Sequence, residues 1–572
     1  MNQLQPVALG EAPADLVVRG GDVFLAEAGT FARRDVAIVD DRIAALPGDA
    51  GDVVGDETTV VDASDRTVVP GFVDAHTHLD AGIPFERVHH LALQGGTTSI
   101  VSETNAFGTI HGAPGVEAFL DATADLPVNV VATVPPQPLY DLFEPKQVDD
   151  EEAAALVSLL DRERVAGVGE VTWIYVVGRD SPARSLIDGA TDRGLPVTGH
   201  GAGCSGAKLA AYATVVDDDH EPIAAEEIVE RVENGLHVVG RFGSRDDISA
   251  LAEAYDALDD PDFSLSSDNI GLDRLAAGQY MNRVVERVIE EGVPPADAFR
   301  MATHRPARHF GLADRGSLAP GNVADVVVLS DRESVTVETV LAGGEVVVRD
   351  GDSLVGPRPH DYPDFFHGSL DASVPRGTFR VPADAVPGDA VRAIEHRMAM
   401  VTAETTVEPP VVDGAFEADP EADLAKVAAV DRQDGTCEFV GFVTGFGLRA
   451  GAVATTSAMQ LPAVTVVGVD DDDMHAALDR VADLGGGWAV VRDGEVLADQ
   501  PATLAGSCTD RPLPEVLDLD AGVREALQSL GAERSDVRVG ISSIVFTGVP
   551  ALKLSFSGYA DVLSREVVGL SP

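Results

Sequence analysis

Only four of the 572 residues are lysines: Lys146, Lys208, Lys426 and Lys553. The three cysteines, Cys204, Cys437 and Cys508, are far apart and show no Cys-x-x-Cys spacing. That scarcity argues against a disulfide framework or a thiolate metal site and fits a reducing cytoplasm. No apolar run reaches the about 18 residues that a membrane-spanning helix needs. The start, Met1-Asn2-Gln3-Leu4-Gln5-Pro6, lacks a basic stretch followed by an apolar one, so no signal peptide is expected. Basic residues are also few: 41 Lys and Arg stand against 95 Asp and Glu, a formal charge of −54. A field of that sign repels nucleic acid and anionic membrane. The acids are spread along the chain, which argues against a disordered acidic tail.

Wide acidity with little lysine suits a protein working in dense salt, where counterions screen self-repulsion, as in salt-in halophiles. The length implies two or three domains. Residues 1–70 read as short strands of a small β-domain, with a turn at Arg19-Gly20-Gly21-Asp22 between 16–18 and 23–24. From 71 to 312, strand-like runs at 98–101, 128–134, 165–171, 196–200, 215–216, 235–239 and 263–265 alternate with helical stretches. Such alternation predicts a parallel sheet with helices outside, and the count fits an eight-stranded (β/α) barrel. Residues 313–360 return to strands, and 361–385, rich in Pro, Asp and His, read as a connector. Residues 386–572 form a further α+β unit, with a helix over 471–484 whose first turn is acidic, as the positive helix N-terminus favours.

The chemistry centres on Val69-Pro70-Gly71-Phe72-Val73-Asp74-Ala75-His76-Thr77-His78. In a strand, residues two apart point to one side, so His76 and His78 can grip one metal or one metal of a pair. Imidazole suits Zn, Fe, Mn-type and Ni sites. Glu170, His200, His220 and Asp268 each stand at or just after a strand-like run, where a barrel carries its catalytic face. Taken singly, Glu170 reads as a solvated or paired carboxylate, His220 as a surface histidine among acids, and Asp268 as a turn or helix cap. Taken together, His76, His78, Glu170, His200, His220 and Asp268 make a metal set, with Glu170 bridging. A divalent ion lowers the pKa of its bound water from about 15.7 toward about 7. Asp268 would take the water's proton and pass it to a leaving nitrogen. His220 would sit over the addition intermediate or complete the second metal's shell.

These strings resemble the adenine deaminase family of the amidohydrolase superfamily. The resemblance lies in residues 69–80, 167–171, 200–209, Asp219-His220-Glu221, Arg241 with Gly243-Ser244, 266–268 and 301–308. It extends to 440–448, 484–487 and 552–562 in the C-terminal unit. It implies a metal-dependent (β/α)8 barrel, a small β-sandwich-like domain built from both flanks, and an extra C-terminal α+β domain. It also implies hydrolysis of adenine to hypoxanthine and ammonia in purine salvage, with Asp268, His220 and Glu170 catalytic. Two divalent metals are implied, manganese or iron, with zinc also compatible. A cytoplasmic homo-oligomer, a dimer, acting on a small molecule is expected. Three strings depart from the family pattern: Ser102-Glu103-Thr104-Asn105, 269–279 and 458–462. They make Glu103, Asn105 and Asn269 candidates for substrate contact. They also keep open a hydrolase of another aminated heterocycle or cyclic amide, and behind it a non-catalytic metal-binding relative. Lys208 reads as structural, not as a bridging lysine.

Overall fold

The computed structural model describes residues 4–144, 148–243, 245–368 and 370–572. Lys146, Ser244 and the first three residues lie outside them. Eight short strands form the barrel: β1 (Phe72–His78), β2 (Thr97–Glu103), β3 (Asn129–Val134), β4 (Val165–Thr172), β5 (Val197–His200), β6 (Asp218–Asp219), β7 (His237–Arg241) and β8 (Phe263–Ser266). β1 to β5 pair in parallel, as do β6 to β8. Every residue of β2 and β4 is buried, as expected of parallel strands covered on both faces. Ala75, Val101, Val131, Ala166 and Val239 from five strands pack with Phe310 into one apolar cluster. Outside, the helix Met281–Glu290 buries Met281, Val284, Val285 and Val288, a single apolar stripe.

Aspartates stitch the two seams between these sheets. At β5/β6, Asp217 N donates to Val197 O (2.8 Å), Val197 N to Asp217 Oδ2 (2.8 Å) and Gly199 N to Asp218 Oδ1 (3.1 Å). This seam corrects the strand expected at 215–216: those valines lie in a turn and its exit, and the strand is Asp218–Asp219. At β8/β1, Ser267 donates to Asp74 through N (2.9 Å) and Oγ (2.6 Å), and Asp268 N donates to His76 O (3.0 Å).

A nine-stranded sheet flanks the barrel. Its strand Val326–Leu329 runs antiparallel to Thr67–Pro70, with Val326 opposite Pro70, so the chain re-enters after the barrel the sheet it began before it. The turn expected at 19–22 is instead a bulge inside one strand, Leu16–Leu25. Gly20, at φ 80°, takes the left-handed position and donates its N–H to Asp35 Oδ1 at 2.7 Å. The C-terminal residues build an eight-stranded sheet backed by the helix Asp471–Leu484, which Asp470 caps and Gly485, at φ 76°, ends. This unit meets the barrel's catalytic side: Tyr175 Oη lies 2.6 Å from Thr547 Oγ1, and Arg565 donates to Val177 O. Among the described residues, no helix is long and apolar enough to cross a membrane.

Candidate metal centre

All six residues expected to hold metal converge at the C-terminal ends of the barrel strands. His76 Nε2 lies 3.5 Å from Glu170 Oε1 and 3.6 Å from Asp268 Oδ1. His78 Nε2 lies 3.5 and 3.4 Å from the same two oxygens. His220 Nε2 is 3.5 Å from Glu170 Oε1, and its ring stacks on His76 with centroids 3.9 Å apart. His200 joins through Glu221, whose Oε1 is 3.5 Å from His200 Nε2 and 3.6 Å from His220 Nε2. Only His78 shows appreciable exposure, at 20%.

These spacings fit a cation. Nitrogen and oxygen ligands about 2.1 Å from a tetrahedral ion stand about 3.4 Å apart. Three triads have donor atoms within 4.8 Å of one another: His76, Glu170 and His220; His76, His78 and Asp268; His200, His220 and Glu221. His76 Nε2 is buried without a hydrogen-bond partner and faces the carboxylates. A donor set of imidazole and carboxylate suits Zn, Mn or Fe.

The local backbone is strained toward this arrangement. Glu170 (φ 31°) and Asp268 (φ 40°) are non-glycine residues at positive φ, each costing about 1–3 kcal/mol. Glu170 N donates to Thr198 Oγ1 (2.9 Å) and Asp268 N to His76 O (3.0 Å), which fixes both turns. Asn269 follows at φ 68°, exposed at the rim, with its N–H on Thr77 Oγ1 at 3.2 Å. Glu103 Oε1 lies 3.5 Å from His76 Nδ1, where it orients the ring from behind. It fits because residue 169 is glycine: a Cβ there would fall 1.8 Å from Glu103 Oε2. Asn105 Nδ2 donates to Glu170 Oε2. Two of the three substrate-contact candidates, Glu103 and Asn105, therefore face the cluster itself.

Charges in the centre hold one another ionised. Burial alone would raise Glu170, but His78 and hydrogen bonds from His220 and His76 outweigh it and hold the carboxyl well below its usual range. Asp268 is likewise held low against burial by His76, His78 and Arg241. Burial would lower His78, yet Glu170 and Asp268 push it up to about 10. Glu221 falls to about 2, chiefly because Arg241 outweighs its burial. Arg241 is itself buried and pairs with Glu221, with Asp247 at 2.7 Å and with Asp268 Oδ2 at 3.4 Å.

Sequence reasoning assigned no role to Glu221. It adjoins His220, and neighbours in a strand point to opposite faces. The chain has already turned there, with Glu221 N on Asp219 Oδ1 at 3.0 Å, so both side chains enter the site. Asp74 was visible only as part of the motif around His76. Lys208 is exposed, its Nζ 5.0 Å over the Trp173 ring.

Residues 67–347 match the amidohydrolase family, and residues 399–566 match the adenine deaminase C-terminal domain. An adenine deaminase of Moorella thermoacetica is 35% identical over 99% of this chain and 97% of its own length. The chain belongs to the adenine deaminase family. Two further members are similar over nearly full length. That of Desulfatibacillum aliphaticivorans is 31% identical, covering 100% of this chain and 99% of its own, and that of Methanothrix thermoacetophila is 30% identical, covering 98% of each. Membership accounts for the joint presence of a barrel with imidazole and carboxylate at its catalytic face and a second unit docked over that face.

Proposed function

We propose that this family member hydrolyses adenine to hypoxanthine and ammonia. His76, His78, Glu170, Asp268, His200 and His220, with Glu221 beside the last two, are the residues to hold two divalent ions, manganese or iron, with zinc also compatible with the donors. When bound, such ions supply an activated water and a Lewis acid. The chain's own residues do the rest. Glu170 is held by Asn105 so that its other oxygen faces three imidazoles. Asp268 has Oδ2 toward Arg241 and Oδ1 toward His76 and His78, which suits it to accept the water's proton and deliver it to the amino nitrogen leaving C6. The low pKa of Asp268 keeps it ionised before that transfer. The stacking of His220 on His76 supports a role for it over the adduct or in the second ion's shell. Burial of nearly every group excludes bulk water, which strengthens each of these interactions.

The supporting observation is the 3.4–3.6 Å spacing of imidazole nitrogens and carboxylate oxygens around Glu170 and Asp268. The test is ammonia and hypoxanthine release from adenine in concentrated salt. The same reading makes the protein a cytoplasmic, salt-adapted dimer of purine salvage. It divides the chain into a composite β-domain (1–70 and 313–360), a barrel (71–312), a connector (361–385) and a C-terminal unit (386–572). A second reading, hydrolysis of another aminated heterocycle or a cyclic amide, is favoured by the departing strings at 102–105, 269–279 and 458–462. Ammonia release from a panel of purines and pyrimidines separates the two.

A further inference from the structure

Beside the metal centre lies a pocket between the barrel and the C-terminal unit, lined among others by Gln137, Tyr140, Tyr175, Gln460 and Thr547. Two observations tie it to the centre. Tyr140 Oη donates to the backbone oxygen of Glu170 at 3.2 Å, and Phe546, the neighbour of Thr547, packs edge-on against His200 at 5.3 Å. Tyr140 and Tyr175 stack in parallel, centroids 3.8 Å apart, and give it a flat wall.

Gln137 and Gln460 both line this pocket, and in neither does the side-chain nitrogen or oxygen have a hydrogen-bond partner. Gln137 is only 4% exposed. Four buried amide atoms without partners cost about 1–3 kcal/mol each, so they call for an occupant that can both donate and accept. The cavity between them, about 40 Å³, takes the edge of a ring and not a whole bicyclic base. Gln460 sits in one of the strings where the chain departs from the family pattern, and at φ 61° it occupies a conformation that side chains seldom adopt.

We propose that Gln137 and Gln460 form a specificity site that reads a heterocycle edge carrying a ring-nitrogen acceptor beside a ring N–H. The inference rests on the deaminase reading above. With C6 of a purine at the metal centre, N3 lies directly across the ring, next to N9–H. A primary amide matches that edge with two bonds, Nε2–H to N3 and N9–H to Oε1. A nucleoside, substituted at N9, has no such donor and leaves an amide oxygen buried and unpaired. The site therefore selects a free base over its N9-substituted form.

The experiment compares adenine with 9-methyladenine as substrates and as ligands of the metal-loaded protein, in wild type, Gln137→Leu and Gln460→Leu. Wild type should prefer adenine by at least about 100-fold in kcat/KM. Each variant should raise KM for adenine about 10-fold, change kcat little, keep its metal and narrow the preference. Gln137→Glu guards against misfolding: it should keep the fold, as circular dichroism reports, and weaken binding of adenine. Wild-type turnover of 9-methyladenine as fast as adenine overturns the inference. So do variants that bind adenine as wild type does, in which case the amides hold only water. Adenine that binds, is weakened by the variants and yet is not hydrolysed overturns the deaminase reading alone.

Discussion

Two sets of buried carboxylates in this barrel behave oppositely. Glu170, Asp268 and Glu221 are between 4% and 8% exposed, and Asp80 and Glu86 are 1% exposed. The first three are held low, while burial pushes Asp80 up to about 6 and Glu86 up to about 7. Burial is nearly the same, so the neighbours decide. Around the first set stand four imidazoles and Arg241. Around Glu86 stand Tyr362, whose hydroxyl donates at 3.3 Å, and an oxygen, Oε1, without a partner. Anionic charge is thus held among the imidazoles and disfavoured at Asp80 and Glu86.

Stripping metal should abolish turnover, the largest effect expected. It should also expose the histidines' dependence on protons. His78, with a folded pKa of about 10, contributes to apo-protein stability fully below its ordinary 6.5 and loses that contribution as pH rises toward 10. Bound metal replaces the proton, so the gap in Tm between metal-loaded and stripped protein should widen from pH 6.5 to 10. A constant gap would break the comparison. Asp268→Asn should keep metal, by elemental analysis, and lower kcat about 10²- to 10⁴-fold. Full activity in that variant would remove Asp268 from proton transfer.

Arg241→Met leaves Glu221 and Asp247 buried beside an apolar group. It should destabilise by about 3–5 kcal/mol in chemical denaturation, and adding Glu221→Gln should recover part of that loss. The smallest effect is expected at Glu86. Its raised folded pKa favours folding below about 4.5 and costs stability as pH rises through about 7. Glu86→Gln should therefore raise Tm above pH 7 and leave it unchanged near pH 4. A gain equal at both pH values would mean the carboxyl's charge is not what burial penalises.

Much of the site was legible because strand geometry ties sequence spacing to direction. His76 and His78, two apart, were assigned to one face, and Glu170, His200 and Asp268 could be placed at strand ends by the apolar runs before them. Glu221, Arg241 and Asp74 act through partners 20 to nearly 200 residues distant, and no local pattern encodes such pairings. The sixth strand was misplaced because two valines signal β-structure more strongly than Asp218 and Asp219, and the seam is held by the carboxylates of Asp217 and Asp218. The Gly20-Gly21 pair marked a break in regular pairing, and only the register across to residues 33–36 distinguishes a bulge from a turn. Gln137 and Gln460 lie 323 positions apart in the chain, so their shared pocket was beyond any motif.

The most direct test of the central claim combines metal analysis with adenine turnover on one preparation in concentrated salt. The account predicts bound divalent transition metal, equal yields of hypoxanthine and ammonia, loss of both on chelation, and recovery with manganese or iron. Undiminished adenine turnover by protein stripped of metal would contradict it.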